Sequence, residues 1–392
     1  MVTTPPLHDP EWWAGDPYPT FAALRAEDPV HRYEGEAGEL WMITRHADVQ
    51  RIAKDPATFR SQDGVLLTDL TRPAISNESI LYMDPPQHSK YRKLVSPSLS
   101  VRRVGELEDR IRKMAIHLLD DLDPIEPLDL VDALSAPLPL MVIAELVGVP
   151  ASDIDDFRVW SEAVMAAATE FTDEVIRLAG ELYGYIDALV QARHAQARDD
   201  LVSVLAHGEV DGERVSDADI NMFVLTLLVA GNDTTRSLIS NGLAALAAFP
   251  HERQRLVDDP GLIPSGVEEL LRWEPSIMSF CRTATRDVEL SGTAIAEGDH
   301  VLLCYQSANR DADVFGPSAD VVDVGRNPNP HLSFGYAEHY CMGAGLARLE
   351  GRIVLEELLA RFPRYELAGP MVREPSRLSR GVSSLPILLD PS

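Results

Sequence analysis

The sequence of 392 residues is poor in cysteine and contains no long apolar run. Its three cysteines, Cys281, Cys304 and Cys341, are far apart and match no C-x-x-C or Cys/His zinc spacing, so disulfide stapling and a zinc site are not expected. No run of 18 apolar residues occurs, and the first 21 residues lack the basic and apolar regions of a signal peptide. The sequence therefore predicts a cytoplasmic protein without a membrane anchor.

Positive charge is also scarce. Lysine and arginine number 35 against 62 acidic residues, which gives a formal net charge of −27. Nucleic acids and anionic lipids bind clustered positive charge, so neither is an expected partner. Hydrophobic residues make up 45% and charged residues 25%, the balance of a globular protein with a large core.

Helical periodicity dominates what is present. Apolar residues recur at three- and four-residue spacing over 19–27, 47–55, 103–122, 136–149 and 173–198. Strand patterns are short and are clearest at 40–45 and 288–305. We find no internal repeat. The sequence predicts a mainly α fold with small β-sheets (α+β) and a short irregular N-terminal segment, residues 1–16.

One predicted helix is unusually long. Ser216 and Asp219 form a capping box at its start, and Pro250 ends it, so it spans roughly 50 Å. Gly231 and the polar residues of "AGNDTT" interrupt its apolar pattern. A threonine can bond to the carbonyl four residues earlier, so a kink is expected there.

Cys341 lies in "HLSFGYAEHYCMGAGLARLEG", just before another predicted helix. Unpaired N–H groups at a helix N-terminus lower a thiol's pKa, and Gly343 and Gly345 allow a large flat group to approach. Two interpretations remain open. Cys341 is a nucleophile with His339 as its base, or it is a thiolate ligand to a metal centre such as haem.

Three motifs in order along the chain resemble those of soluble bacterial cytochromes P450, and the resemblance covers essentially the whole length. The pattern [AG]-G-x-[DE]-T matches Ala230, Gly231, Asp233 and Thr234; E-x-x-R matches Glu269 and Arg272; F-G-x-G-x-[HR]-x-C-x-G matches Phe334, Gly335, His339, Cys341 and Gly343. Ala337 departs from the last pattern, because the family usually has its second glycine there.

The resemblance implies a single catalytic domain over residues 1–392, with a long kinked helix above haem b. Cys341 would ligate the iron. His88, Arg92, Arg282 and His339 would bind the haem propionates, and Arg326 would join Glu269 and Arg272 in a structural triad. Ala230 and Gly231 would leave a groove for dioxygen, and Asp233 and Thr234 would pass protons inward.

The implied activity is that of a monooxygenase, which inserts one atom of O2 into a C–H bond by hydroxylation, or forms an epoxide. Aliphatic segments at 64–83, 162–171, 228–229, 276–280 and 380–386, with Met83, Met165 and Met278, would line a pocket for an apolar molecule such as a terpenoid, sterol, fatty acid or polyketide. The resemblance is nearest to actinobacterial members. A peroxide-using relative, a haem-based sensor and a catalytically silent haem protein are the alternatives.

Electrons would come from separate proteins, since no flavin or iron–sulfur motif is present. The family suggests a ferredoxin and its reductase acting on a monomer. Five basic residues between Asp84 and Gly105, in a chain that is otherwise acidic, suggest where an acidic ferredoxin docks: Lys90, Arg92, Lys93, Arg102 and Arg103.

Overall fold

Helices contain 55% of the structure, which confirms the predicted mainly α fold with small sheets. The structure is a computed structural model that describes residues 4–36, 38–71, 79–166 and 172–390. The α-helices in these ranges are α1 Pro10–Ala14, α2 Tyr18–Glu27, α3 His46–Ala53, α4 Gln87–Val95, α5 Val101–Glu106, α6 Glu108–Asp120, α7 Pro137–Val147, α8 Ile154–Ala166, α9 Asp173–Ala195, α10 Leu201–Ala206, α11 Asp217–Ala248, α12 Pro250–Asp258, α13 Ile263–Trp273, α14 Tyr305–Ala308, α15 Ala312–Phe315 and α16 Ala344–Arg361.

The strands are short and lie mostly in the two ends of the chain. They are β1 Val30–Gly35, β2 Gly38–Ile43, β3 Phe59–Arg60, β4 Leu128–Asp129, β5 Glu209–Val210, β6 Glu213–Arg214, β7 Ser279–Ala284, β8 Val288–Leu290, β9 Thr293–Ile295, β10 His300–Cys304, β11 Arg364–Leu367, β12 Val372–Arg373, β13 Val382–Ser384 and β14 Pro386–Asp390. The predicted strand patterns at 40–45 and 288–305 are confirmed.

The largest sheet joins the N-terminal and C-terminal halves of the chain. Its strand order is β1-β2-β10-β7-β3, with β10 parallel to β2 and antiparallel to β7. In this register Leu302 faces Met42 on one side and Cys281 on the other. All three side chains are buried. The sheet thereby fixes β7, the strand that carries Arg282.

Helix α11 crosses the middle of the fold and packs against α7, α9, α13 and α16. The Ser216 hydroxyl accepts a hydrogen bond from the Asp219 N–H, as the predicted capping box requires. The helix continues without a break through Ala230–Thr234. Thr234 Oγ1 donates to the Ala230 carbonyl at 2.5 Å, which is the local interaction that bends helices.

Two glycines allow close packing of α11, α13 and α16: Gly351 of α16 lies against α11 and α13, and Gly242 of α11 lies against α13. A Cβ on Gly351 would lie 3.3 Å from Leu238 Cδ2, and one on Gly242 would lie 3.0 Å from Leu270 Cδ1. A side chain at either position would push the helices apart. Because α16 follows the Cys341 loop directly, this close packing fixes the loop against the core.

Two local predictions were wrong. The helix expected over 103–122 is two helices that meet at Leu107, just after Gly105, a residue that weakens helices. The N-terminal segment 1–16 is not wholly irregular, because the Asp9 side chain caps α1 by accepting from the Glu11 N–H. Within the described ranges, no helix has both the length and the apolar character needed to cross a bilayer.

Candidate functional site

The loop before α16 is closed by its own backbone. The Cys341 N–H donates to the Phe334 carbonyl at 2.8 Å, which brings the two ends of the motif together. Gly335 has a φ of +70°, a conformation that glycine adopts without strain. Gly343 is the N-cap of α16, and a Cβ there would lie 3.9 Å from Cys341 Sγ. The Phe334 ring lies under the Arg348 guanidinium at 4.5 Å, which holds the loop from below.

Ala337 adopts the backbone conformation that the family's usual glycine would adopt. Its φ is +54°, in the left-handed region, where a Cβ carries a steric cost. The Tyr340 N–H still donates to the Ala337 carbonyl at 3.1 Å, so the turn is formed despite the methyl group. The departure from the motif therefore strains the loop and leaves its path intact.

Cys341 differs from the other two cysteines in accessibility. Cys341 is exposed, whereas Cys281 and Cys304 are buried in the core. Desolvation nevertheless raises the pKa of the Cys341 thiol, and hydrogen bonds from the Gly343 and Ala344 N–H groups oppose that rise. The expected lowering of the thiol pKa was wrong for the chain alone, because desolvation outweighs the helix N-terminus.

The structure brings the four predicted propionate-binding side chains together. The rings of His88 and His339 lie 4.3 Å apart between centroids. The pKa of His339 falls to about 2, first because of burial and then because Arg282, His88 and Arg92 repel a further positive charge. The four side chains thus form one basic cluster.

This basic cluster has few anionic partners. Arg282 is buried, and its Nη1 donates only to the Cys281 carbonyl at 2.6 Å, with no carboxylate paired to it in the described residues. Arg92 is half-buried, and its guanidinium has no hydrogen-bond partner in the same ranges. His88 Nδ1 contacts Glu338 Oε1 at 3.1 Å, so one carboxylate offsets part of the charge. Because Glu338 offsets only part of the positive charge, the cluster suits a ligand that carries negative charges of its own.

These residues fit a haem. An accessible sulfur flanked by peptide N–H groups is the donor that a thiolate-ligated iron needs, and a cluster of two arginines and two histidines suits two propionates. The nucleophile interpretation lacks support, because burial and positive neighbours lower the pKa of His339 and so make it a weak base, and its Nε2 contacts Ser61 Oγ at 3.2 Å.

The Glu269, Arg272 and Arg326 side chains form the expected triad. Arg272 binds Glu269 through two hydrogen bonds of 2.7 and 2.8 Å, and both side chains are fully buried. Arg326 Nε donates to Glu269 Oε2 at 3.0 Å. The remaining Arg272 hydrogens go to carbonyls of the segment before Arg326, including Ala319 and Val321. The triad fastens that segment to α13, and through it the Cys341 loop that follows.

In α11, Asp233 and Thr234 are adjacent in sequence but bind different groups. Arg236 Nη2 donates to Asp233 Oδ1 at 2.7 Å, while the Thr234 hydroxyl donates to its own helix. Ala230 is exposed although it lies in the middle of α11. A Cβ at Gly231 would lie 3.0 Å from Ile143 Cδ1, so α7 approaches this turn too closely for a larger residue.

The predicted pocket segments are placed in part. Val229 is 44% exposed, but Leu228 is fully buried and faces the core, because neighbouring residues of a helix point about 100° apart. Met278 is 1% exposed and packs with Trp13 and Phe21, so its prediction as a pocket residue was wrong. Met83 is buried as well. The side chain of Met165, and the parts of the predicted segments at 72–78 and 167–171, lie outside the described residues.

The basic segment from Asp84 to Gly105 is partly neutralised. Lys90 binds Asp211 at 2.5 Å, and Arg102 and Arg103 bind Glu106 at 3.8 and 2.8 Å. These three pairs reduce the predicted positive patch. Lys93 is exposed and has no ion-pair partner among the described residues.

The helical fold and the accessible cysteine next to a basic cluster define a class, the haem proteins whose iron is held by a cysteine thiolate. The cytochrome P450 family model matches residues 154–259 and 262–382. The chain is 39% identical over 383 residues to the vitamin D(3) 25-hydroxylase of Pseudonocardia autotrophica, covering 96% of this chain and 94% of that protein. It is 37% identical to the mycinamicin IV hydroxylase/epoxidase of Micromonospora griseorubida, covering 94% of each.

Solved structures agree with these relatives. A cytochrome P450 from Chondromyces apiculatus superposes with a TM-score of 0.90 at 34% identity over 100% of both chains. One from Bacillus megaterium, solved in complex with testosterone, gives 0.84 at 29% identity over 95% of this chain and 99% of that one. The chain belongs to the cytochrome P450 family. It is a P450 monooxygenase, and its cofactor is haem b.

Sequence reasoning missed several residues at the site. Glu338 contacts His88, and Ser61 contacts His339. Nothing in the sequence around Glu338 or Ser61 indicated these contacts. The ion pair between Arg236 and Asp233 could have been predicted from the sequence, because Arg236 lies three residues after Asp233 on one helix. Glu374, which also binds Arg236, is 138 residues away in the chain and carried no sequence signal.

Proposed function

We propose that this enzyme hydroxylates an apolar molecule of sterol-like or macrolide-like size, with Cys341 as the iron ligand and electrons from a ferredoxin. The accessible Cys341 thiol between the Gly343 and Ala344 N–H groups carries the assignment of the iron ligand. Haem held by a thiolate activates dioxygen and supplies the insertion of one oxygen atom into the substrate. The action of the enzyme in the cytoplasm stays a prediction.

The chain's own side chains bind the cofactor and move protons. His88, Arg92, Arg282 and His339 bind the propionates, because this basic cluster has too few carboxylates of its own. Asp233 takes protons from solvent and passes them toward Thr234, whose hydroxyl is bonded to the helix at Ala230. Ala230, which is exposed, leaves room beside that hydroxyl for dioxygen.

The substrate class is supported by the relatives and by the pocket composition. The named activities concern vitamin D(3), mycinamicin IV and methyl-branched lipids, all of which are largely apolar and larger than a simple terpene. The exposed Val229 in α11 and the half-buried Ile277 and Phe280 before and in β7 offer aliphatic and aromatic contacts.

The electron donor is a separate acidic protein that docks near α4 and α5. Lys93 is exposed and has no ion-pair partner among the described residues, and Val101 is 88% exposed beside Arg102. An exposed apolar side chain on the same short segment as an exposed lysine suits a small acidic redox protein.

The absorption spectrum of the purified protein, reduced and exposed to carbon monoxide, tests the iron ligand. We expect the strongly red-shifted band of thiolate-ligated haem, and Cys341→His should move it to the position of histidine-ligated haem while Cys281→Ser, a matched variant in the core, keeps it. A ferric spin-state titration with vitamin D3, testosterone, mycinamicin IV and a methyl-branched fatty acid then tests the substrate class. A red-shifted band in Cys341→His, or no spectral response to any of the four compounds, would contradict the corresponding part of the proposal.

A further inference from the structure

The acid of the proposed proton relay shares its arginine with a second carboxylate. Arg236 Nη2 donates to Asp233 Oδ1 at 2.7 Å and to Glu374 Oε1 at 2.7 Å. Arg236 Nε is buried and has no hydrogen-bond partner in the described residues. The guanidinium is therefore bound through one nitrogen, and each of the two hydrogens on that nitrogen serves a different carboxylate.

Glu374 reaches α11 because Gly381 leaves room for it. Glu374 follows β12, and its N–H donates to the Gly381 carbonyl at 3.2 Å. A Cβ on Gly381 would lie 2.7 Å from Glu374 Oε2 and 3.3 Å from Glu374 Cβ. Gly381 has no left-handed φ, so an alanine there would be opposed only by the Glu374 side chain.

The hairpin formed by β12 and β13 and the segment before β7 are hydrogen-bonded to α11 at several points. Asn241 Nδ2 donates to the Arg380 carbonyl at 2.8 Å, and Arg373 Nη1 donates to Asn241 Oδ1 at 2.7 Å. The Ser276 hydroxyl donates to the Thr234 carbonyl at 2.7 Å, and the Arg380 N–H donates to the Ser276 carbonyl at 2.8 Å. Both members of the Asp233–Thr234 pair are thus held by chain segments expected to border the substrate pocket.

We propose that Glu374 is a positioning residue for Asp233, because its negative charge on the same Arg236 nitrogen weakens the Asp233–Arg236 pair and so eases the release of the Asp233 carboxylate toward Thr234. An arginine bound by Asp233 alone would form a stronger pair and hold that carboxylate away from the relay. The inference rests on the proposed function, since it concerns the same acid.

A cycle of variants tests the contact without reference to activity. Gly381→Ala should lower the thermal midpoint of the haem-bound enzyme by about 1 °C or more, because a Cβ placed 2.7 Å from Glu374 Oε2 forces that side chain to shift. In a Glu374→Ala background the same change should cost much less, because the clashing side chain is gone. Gly184→Ala, at a helical glycine with open space around it, is the control and should not lower the midpoint. An equal loss from Gly381→Ala in both backgrounds overturns the proposal.

Turnover of the panel compound with the largest spin-state response tests the positioning role. Glu374→Gln should lower kcat about fivefold, raise the solvent deuterium isotope effect on kcat and leave KM within about twofold. The reason is that Arg236 would then bind only one carboxylate, that of Asp233, and would hold it more strongly. Glu366→Gln, which removes an exposed carboxylate in β11, is the control and should change neither quantity. An unchanged kcat and isotope effect in Glu374→Gln overturns the proposal.

Asp233→Asn separates this inference from the proposed function. If Asp233→Asn diverts NAD(P)H electrons from product to peroxide while Glu374→Gln behaves as the wild type, only the positioning role is overturned. If Asp233→Asn leaves the coupling of NAD(P)H to product unchanged, the relay itself is wrong, and the role of Glu374 fails with it.

Discussion

Ala337 is the residue where the haem-loop motif and backbone conformation conflict most directly. Its φ of +54° costs an alanine about 1–2 kcal/mol, whereas glycine has no such cost but loses about 0.4–1 kcal/mol through a freer unfolded chain. Ala337→Gly should therefore stabilise the enzyme by about 0.5–1 kcal/mol, measured by urea unfolding of the haem-bound form. The family motif indicated that position 337 usually holds a glycine, but only the backbone φ of this residue explains why.

Ala347→Gly provides the control for this prediction. Ala347 lies in α16, where glycine costs about 1 kcal/mol relative to alanine. The two Ala→Gly substitutions should thus change the free energy of unfolding in opposite directions. A loss of stability in both variants would mean that the Ala337 backbone is not held in the left-handed region.

At the scale of the element, α16 contains a buried acid with an unsatisfied oxygen. Glu350 is 2% exposed, its Oε2 has no hydrogen-bond partner in the described residues, and burial raises its pKa to about 8. The folded form therefore keeps its proton while the unfolded chain loses it above about pH 4.5. This contribution to stability is fully present below pH 4.5 and is lost as the pH rises through 8, by up to about 1.4 kcal/mol per pH unit.

Glu350→Gln isolates that dependence. The difference in unfolding midpoint between wild type and Glu350→Gln should change steadily in favour of the variant from pH 5 to pH 8, followed in urea at half-unit steps. Glu366→Gln, an exposed position, should give a flat difference over the same range. A flat difference for Glu350→Gln would indicate that the carboxyl is ionised in the folded enzyme or has a partner.

The helices and the C-terminal hairpin also show which structural features could be predicted from the sequence and which could not. The capping box at Ser216, the threonine bond to Ala230 and the Glu269–Arg272 pair are local, so spacing along the chain revealed them. Burial of the Glu269–Arg272 pair depends on packing that spacing does not contain, whereas the split of the predicted 103–122 helix follows the local signal of Gly105. Glu374 illustrates the same limit, because its contact with Arg236 exists only after α11 and the C-terminal hairpin have packed together.

At the scale of the whole molecule, charge opposes the docking of an acidic electron donor. The chain carries a net charge of −27, and three of the five basic residues between Asp84 and Gly105 are already paired with carboxylates. Beyond the Debye length, about 10 Å at 0.1 M salt, two acidic proteins repel each other. Near contact, Lys93, for which the described part of the chain offers no ion-pair partner, attracts an acidic donor. The sign of the salt dependence of reduction therefore shows which of the two effects controls encounter.

We expect the local patch to dominate, so the second-order rate of reduction by an acidic ferredoxin should fall as ionic strength rises. Lys93→Glu should slow this reaction about tenfold at low salt, and the difference should shrink toward 0.5 M because screening removes steering, on the order seen for electrostatic association. Arg32→Glu, which makes the same charge change in β1, should alter the rate little. A rate that rises with salt, or equal effects of the two variants, would mean that net charge governs encounter and that the ferredoxin docks elsewhere.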